Sequence, residues 1–567
     1  MNTKKIYTGL AIIGAALVMT SCGDSFLDTM PDNRAEVDEQ EKVQYLLTSA
    51  YSDRTFNMLG EYMSDNCDDY SASSPNTTRY VEEVYFWKDV TESNNESPEN
   101  VWQVNYLAIA TANQALQSID DIVAKSGWTT NLREARGEAL LCRAYSHFIL
   151  LNLFALNYDK ATADKTPGIT YMLKPETELN PKYERNTVAK CYELLAQDIE
   201  EGISLVGSSY YTVPKYHFTP IAAHAFACRF YLYYEKWDEA IDHANIVLGA
   251  NPKTMLRNYD IIGAETTILA AAQKYIDATA NCNLMLTTAL SYMGSSMSNS
   301  SRYKRFTHTP YISANETATA THPWGSIATT GYRAPLKSYS SSTSRYHIFW
   351  RVPNLFEYTD PVAGTGYYRT VFPVFTADEV LLNRAEAYIM KENYVDACKD
   401  LNLWVENMVT PTAGAKTLTA ENIQEFYTAT DPVTGEAKVP YCYENVGGEI
   451  VSTPRKHLHP AFKIDVEGSK QECMLQCVLN ARRIETLQSG LRWFDIKRYG
   501  IEIPRRTYNA AGSPEVYTDW LKVDDPRRAV QIPLKVRDAG YEANPRVKAI
   551  PEQPMEGTPD TEDTEGK

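Results

Sequence analysis

The stretch Thr376–Glu406, TADEVLLNRAEAYIMKENYVDACKDLNLWVE, decides how this chain folds. Leu381, Arg384, Ala385 and Tyr388 recur at intervals of three and four, so they share one face of a helix. Lys391-Glu392-Asn393-Tyr394 interrupts that pattern, and Ala397, Leu401 and Trp404 resume it. The spacing predicts two helices folded back on each other, with small residues where they cross and an aromatic at the turn.

The segment Thr219–Leu248 repeats the plan. Pro220 stands where a first helical position tolerates it, and Phe226, Phe230, Tyr233 and Trp237 stripe the first helix. Lys236-Trp237-Asp238 reads as the turn, and Ala240, Ala244 and Val247 stripe the second helix. Pairs of this kind, with a period of about 34 residues, are the tetratricopeptide plan. One pair cannot bury its apolar face alone, so pairs stack. The expected fold is mostly α, a superhelix of tetratricopeptide-type pairs supporting a loop-rich ligand-binding lobe. Further helices are predicted over about 38–62, 98–125, 132–157 and 187–206, the last capped by Asn186 or Thr187. Leu141, Ala144, Phe148 and Leu151 share a face of the third, where Ala135, Ala139 and Ala144 permit close approach. Pro167-Gly168 breaks the chain after it.

Between the two pairs, over 251–371, periodicity fades. Ser, Thr, Gly and Tyr dominate, with Tyr292, Tyr303, Tyr311, Tyr332, Tyr339, Tyr346, Trp324 and Trp350 among them. This segment reads as loops carried by the helical scaffold, and a long irregular insertion is often functional.

The N-terminus addresses the chain. Lys4 and Lys5 precede the apolar stretch Ile6–Met19, and Thr20 and Ser21 lead into Cys22. That order is a signal peptide whose apolar core is too short to span a bilayer. Cys22 at the cleavage point is the expected acceptor of a lipid, and several acyl chains on one residue would anchor the body. The organisation expected is signal 1–21, lipidated tether 22–37, helical region 38–250, insertion 251–371, C-terminal region 372–551 and acidic tail 552–567, the last too polar to pack. The balance of 72 acidic against 55 basic residues, net −17, argues against nucleic acid as a partner.

Catalytic patterns are wanting. No GxSxG, HExxH, P-loop or strand-borne GxGxxG occurs. Cys473 and Cys477 lie one helical turn apart, but no nearby histidine pair completes a metal site. Cys142, Cys191, Cys228 and Cys398 sit in helical apolar patterns as small hydrophobes. His217, His224 and His243 fall near one helix pair without ligand spacing. Asp65, Asp68 and Asp69 lack the spaced ligands and glycine of a calcium loop and read as a solvated acidic loop. The expectation is a binding protein with no enzyme activity, cofactor or metal. The competing readings are a surface-anchored glycoside hydrolase or peptidase and a non-catalytic protein-docking scaffold.

An ordered set of segments resembles the SusD/RagB family of Bacteroidetes outer-membrane nutrient-binding lipoproteins. It comprises Cys22 with Phe26-Leu27-Asp28 and Pro31, Trp102 to Asn113, Ala135 to Leu140 with Arg143-Ala144-Tyr145, the Pro167-Gly168-Ile169 break and the pair from Ala222 to Ala244. The sharpest members are Leu382-Asn383-Arg384-Ala385-Glu386-Ala387-Tyr388 and Arg492-Trp493-Phe494-Asp495-Ile496-Lys497-Arg498-Tyr499-Gly500, the latter preceded by Arg482-Arg483 and Glu485. The resemblance implies four helix pairs and a lid on a SusC-like TonB-dependent outer-membrane barrel, with the helical side meeting the barrel and the loops holding ligand. It implies a cell-outer-membrane location, lipid-anchored and facing the exterior, and an oligosaccharide or oligopeptide ligand. It places candidate aromatic contacts at Tyr70, Tyr80 and Trp87 and, in the insertion, at Tyr311, Trp324 and Tyr332. Arg492-Trp493-Phe494-Asp495 is expected to be structural. The insertion departs from glycan-binding relatives in lacking a DPR-like stretch. Phe356-Glu357-Tyr358-Thr359-Asp360 and Gly366-Tyr367-Tyr368-Arg369 stand there instead, which keeps peptide open beside glycan.

Overall fold

In the computed structural model the quoted stretch forms two antiparallel helices, Ala377–Met390 and Tyr394–Met408. The structure describes residues 37–71, 77–94, 96–178, 181–297, 304–340, 345–508 and 514–546, so Cys22, the tether and the tail lie outside it. The helices that frame the fold, in chain order, are α1 (Gln40–Leu47), α2 (Asn57–Met63), α3 (Arg79–Tyr85), α4 (Pro98–Ser126), α5 (Thr130–Phe154), α6 (Val188–Leu205), α7 (Pro220–Tyr233), α8 (Trp237–Leu248), α9 (Ala377–Met390), α10 (Tyr394–Met408), α11 (Ala420–Thr428), α12 (Lys470–Glu485) and α13 (Arg492–Arg498). Side-chain oxygens cap their N-termini where the sequence offers Ser or Thr. Ser97, Thr129, Thr187, Thr219, Thr376 and Ser469 each accept a backbone N–H of the first turn.

The two pairs read from the sequence share one turn. Glu235 and Glu392 both take left-handed backbone, with φ of 60° and 58°. The next residue closes back on the helix: Lys236 N–H donates to Tyr231 O and Asn393 N–H to Tyr388 O, at 2.9 and 2.8 Å. This is a Schellman-type stop, made with glutamate where glycine is usual. Trp237 opens the second helix of its pair instead of sitting in the turn. The helices pack in sequence, α4 on α5, α5 on α6, α7 on α8, α8 on α9, then α9 on α10 and α12. Close approach of α5 and α6 depends on Gly137, where an added Cβ would lie 2.4 Å from the Val206 backbone nitrogen. The region predicted as helix over 38–62 is split, because residues between α1 and α2 form bends.

The insertion is not only loops. It holds strands β2 (Asn283–Leu290), β3 (Phe306–Thr307), β4 (Leu355–Asp360) and β5 (Thr365–Thr376), and β2, β5 and β4 form one sheet in that order. Beside it a four-stranded sheet runs β7 (Pro514–Leu521), β6 (Ile503–Tyr508), β1 (Asp68–Asp69), β3. A search for helical spacing passes over these strands, since Thr, Tyr, Phe and Val at period two carry their signal.

The acidic loop proves to be buried. Asp65, Asp68 and Asp69 are each under 4% exposed. Asp65 takes both guanidinium arms of Arg492 at 2.9 Å, Asp68 pairs with Arg506 at 2.9 Å, and Asp69 takes Arg305 at 2.7 and 2.9 Å. The cations come from segments far away in the chain, so local composition misjudged the solvation of these acids. Glu316, from the insertion, completes the cluster. It accepts from Arg506 at 2.6 Å, Lys456 at 2.7 Å, Arg483 at 3.2 Å, Ser452 at 2.6 Å and Tyr443 at 3.1 Å. These cations hold the Asp65 and Glu316 carboxyls well below the usual carboxylate range, against the opposing pull of burial. A second buried group ties α9, α12 and α13 together. Arg482 holds Asp495 at 2.9 Å, and Arg498 and Tyr499 reach Glu386 at 2.6 and 2.7 Å. With Trp493 and Phe494 also in the core, the Arg492–Asp495 motif is structural, as expected.

Candidate functional site

Six chain segments wall a cavity of about 390 Å3. They are α2 with Tyr62, α3 with Tyr80, Glu92, Asn94 and Glu96 ahead of α4, Tyr292 with the short helix Met293–Met297, Lys304–Phe306, and β5 with Tyr368. Its polar wall is tied down by caps and turns. Thr78 caps α3, and Tyr80 N–H donates to Glu92 at 2.6 Å. The Tyr80 hydroxyl donates to the Glu96 carbonyl at 2.7 Å. Glu96 then reaches across to the insertion, where its Oε1 accepts the Tyr292 N–H at 2.7 Å.

The other oxygen of Glu96, Oε2, is buried without a hydrogen-bond partner. A buried acceptor left unpaired costs on the order of 1–3 kcal/mol, a cost this carboxyl carries within the wall. Burial pushes the Glu96 carboxyl up to about 7, although the Ser291 hydroxyl and the Tyr292 N–H work in the opposite direction. Beside it stand two aromatic rings, Tyr292 and Tyr368, 5.3 Å apart and inclined at 52°. Tyr292 is 42% exposed. Arg305, also on the wall, is engaged by Asp69 and Glu82. An open ring face, the hydroxyls of Thr77 and Thr78 and the amide of Asn94 suit a neutral, hydroxyl-rich or amide-rich ligand.

A larger cleft, about 730 Å3, lies against α4 with Trp102, Tyr106, Met172 and Lys535 on its wall. Some of its polar groups are engaged within the chain. The Tyr106 hydroxyl donates to Thr170 O and the Asn113 amide to Met172 O. The smaller cavity is edged by the partly exposed Tyr292 ring beside Tyr368, with hydroxyl and amide groups on its wall, and is taken as the candidate ligand site.

The six aromatic candidates separate clearly. Tyr80 lines the cavity, though as floor, with 1% of its surface exposed. Tyr70 is buried beside the Tyr508 ring at 5.6 Å, and half-buried Tyr311 packs on Tyr508 and over Arg506. Trp87 is a core residue. Its Nε1–H donates to Met63 O at 2.9 Å, and its ring lies between Arg505 at 3.8 Å and Arg527 at 5.4 Å. Trp324 is buried with its ring stacked on His322 at 4.3 Å and edge-on to Trp404. Tyr332 is buried against Phe349 and donates its hydroxyl to Ala318 O. Trp87, Trp324 and Tyr332 therefore have no open face for a ligand, because packing within the chain covers both sides. The cavity instead uses Glu96, Tyr292 and Tyr368. Tyr292 and Tyr368 stood out in the sequence only as members of a tyrosine-rich region, and nothing in local spacing marked Glu96.

Known proteins share this architecture. One family model, described as starch-binding and associating with the outer membrane, matches residues 25–232. A second, that of the SusD family, matches residues 286–532. No curated protein matches the chain. Among solved structures, a SusD superfamily protein from Bacteroides thetaiotaomicron VPI-5482 aligns at 18% identity and a TM-score of 0.59, over 89% of this chain and 100% of that one. A SusD superfamily protein from Bacteroides vulgatus ATCC 8482 aligns at 17% and 0.61, over 91% and 100%. A SusD-like carbohydrate binding protein from the same organism aligns at 15% and 0.60, over 88% and 96%. At such identities the structures speak for the fold alone, and the two family models carry the assignment. The first spans the N-terminal helix stack with β1 and the second the other strands, save the start of β2, with α9–α13, so the chain belongs to the SusD/RagB family.

Proposed function

We propose that the protein is a cell-surface lipoprotein that captures oligosaccharides or oligopeptides and delivers them to a SusC-like TonB-dependent barrel, for which it serves as the lid. In this reading Cys22 carries the lipid and holds the body at the outer membrane, facing the exterior. Ligand enters the cavity walled by Glu96, Tyr292 and Tyr368, and the stacked helices form the side that meets the barrel. The protein grips its ligand and does not cleave it. The observation that carries the reading is the cavity edged by two neighbouring tyrosine rings, one of them, Tyr292, 42% exposed. Membership of a family described as starch-binding supports saccharide over peptide. No helix among the described residues is long and apolar enough to cross a membrane, so attachment through Cys22 accounts for a surface location economically.

Affinity electrophoresis against a polysaccharide panel, with calorimetry against peptide mixtures, tests the proposal. Tyr292→Ala should weaken the ligand found by roughly tenfold, the loss of about 1.4 kcal/mol expected of one partly buried contact ring. Failure to bind any member of either panel, or release of shortened products by the purified protein, would overturn it.

A further inference from the structure

Arg351, in the insertion, is 3% exposed. Its Nη1 donates to the carbonyls of Ile484, Glu485 and Leu487 at the end of α12. The other edge of the guanidinium differs. Among the described residues, Arg351 is the one arginine whose Nε and Nη2 are both buried without a hydrogen-bond partner. In Arg143, Arg229, Arg305, Arg384, Arg482 and Arg492 that same edge grips both oxygens of one carboxylate, as Arg384 does with Asp400 at 2.8 and 2.7 Å. Among the described residues, no carboxylate oxygen comes within 4.0 Å of the Arg351 nitrogens. Arg351 lines two small cavities. One, of about 40 Å3, has Glu379, Glu485 and Leu487 on its wall. The other, of about 20 Å3, lies between the short helices Tyr259–Gly263 and Ile268–Tyr275 and the segments around Lys337 and Phe349, and no carboxylate lines it. In a planar guanidinium the line midway between Nε and Nη2 runs opposite to Nη1. Nη1 addresses Glu485 and Leu487, which wall the first cavity, so the unpartnered edge turns toward the second.

The structure assigns this second cavity as a binding site for a small monovalent anion of the size of chloride, held by the Nε–Nη2 edge of Arg351 with Lys337 on the same wall. The site shares no residue with the ligand cavity of Glu96 and Tyr292. Charge separates an anion from water. A water molecule would accept from the Arg351 donors and leave the charge uncompensated, whereas buried charges are stable when paired. Half-buried Lys337 adds a second positive charge, and no acid on the wall opposes it. The neighbouring cavity has the opposite character, since Glu379 and Glu485 repel an anion there. Size narrows the class. A space of about 20 Å3 admits one water or one small ion, and neither a sugar ring nor a peptide. The guanidinium is also held ready for its ligand. The Phe349 ring lies 4.6 Å and the Tyr275 ring 5.5 Å from its central carbon, and the α12 carbonyls fix Nη1. An ion bound only by the folded chain stabilises it, so at a hundred times the dissociation constant the folding equilibrium should gain about a hundredfold.

The test uses the full mature chain and its Lys337→Gln and Arg351→Lys variants, prepared without halide, with sodium bromide as the probe. Wild-type crystals soaked in sodium bromide should show bromine anomalous scattering within hydrogen-bonding reach of Arg351 Nε and Nη2. In urea unfolding at fixed ionic strength, exchanging gluconate for bromide should raise the wild-type midpoint steadily with the logarithm of bromide concentration. Lys337→Gln should bind bromide several-fold more weakly and so shift that response to higher concentration. Arg351→Lys keeps the charge and loses the two-nitrogen edge, so it should abolish the response. Should Arg351→Lys fail to fold, the crystal and Lys337→Gln decide the matter. The site is overturned if the position scatters as water, or if the anomalous peak stands beside Glu379 and Glu485 instead. It is equally overturned if the wild type and the folded variants respond to bromide alike, as a general salt effect would make them. An anomalous peak with no shift of the midpoint would mark an adventitious ion only and also overturn the site.

Discussion

Replacing Glu316 with glutamine should uncouple the insertion from the rest of the molecule. Around this carboxylate, four buried cations (Lys456, Arg483, Arg492 and Arg506) face three buried carboxylates, Asp65, Asp68 and Glu316. Glu316→Gln keeps the shape and deletes one negative charge, leaving four cations to two carboxylates. The amide nitrogen of the new side chain would also face Lys456 or Arg506, both donors. Breaking a buried ion pair by removing one partner costs about 3–5 kcal/mol. Three cations are affected here, but they share the loss and retain Asp65 and Asp68, so their costs do not add. A loss of about 4 kcal/mol is expected, a large fraction of the 5–15 kcal/mol typical of a folded domain. With a urea slope near 3 kcal/mol/M or above for a large chain, the midpoint should fall by roughly 1 M. The acid limb supplies a second reading. Because the folded carboxyl titrates below its unfolded value, its contribution is present above about pH 4.5 and disappears as pH falls through the lower folded value. The wild-type protein should therefore lose stability on acidification more steeply than the variant. Denaturation followed by tryptophan fluorescence from pH 7 to pH 3 measures both. A midpoint unchanged at pH 7, or acid limbs of equal slope, would refute the claim that this cluster is a net tie between segments.

Other expectations concern single groups. Trp87→Ala should cost about 3–5 kcal/mol in urea unfolding, as large core truncations do, while leaving ligand affinity near wild type wherever the variant is folded; a stable variant with lost affinity would restore Trp87 as a ligand contact. Glu96 titrates near 7 when folded against 4.5 when free, so the sign is the reverse of Glu316: its burial is least costly below pH 4.5 and most costly above pH 7. Glu96→Gln should remove a decline of about 3 kcal/mol in stability across that window, seen as a flatter urea-midpoint profile, and an unchanged profile would mean that this carboxyl is solvated. Cys22→Ala should move the protein from the detergent-extracted membrane fraction to the soluble one, and persistent membrane association would remove the lipid anchor from the account.

The helix pairs were legible because a helix records its burial locally. Leu381, Ala385 and Tyr388 mark one face within two turns, and Thr376 and Thr219 announce their starts. The strands of the insertion were less so. In β5 the inward residues are interrupted by Pro373, and in β6 the buried positions include Arg505 and Arg506, residue types that look exposed until their partners are seen. Charge burial is the sharper case. Asp65 reads as solvated from its neighbours, yet its partner Arg492 is 427 residues away. Trp87 and Trp324 proved to lie in the core for a related cause, since a ring is as useful to a core as to a ligand and only packing tells which.

By itself, then, the sequence determined the paired-helix scaffold, its caps and breaks, the structural part of the Arg492–Asp495 motif and the family to which these belong. The tertiary structure alone decided which carboxylates are buried, that the insertion is built on a sheet, and that Glu96, Tyr292 and Tyr368 meet at one cavity. The physical reason is range. Helical periodicity and capping are set by residues three and four apart, whereas desolvation, ion pairing and the openness of a ring face depend on atoms brought together across hundreds of residues.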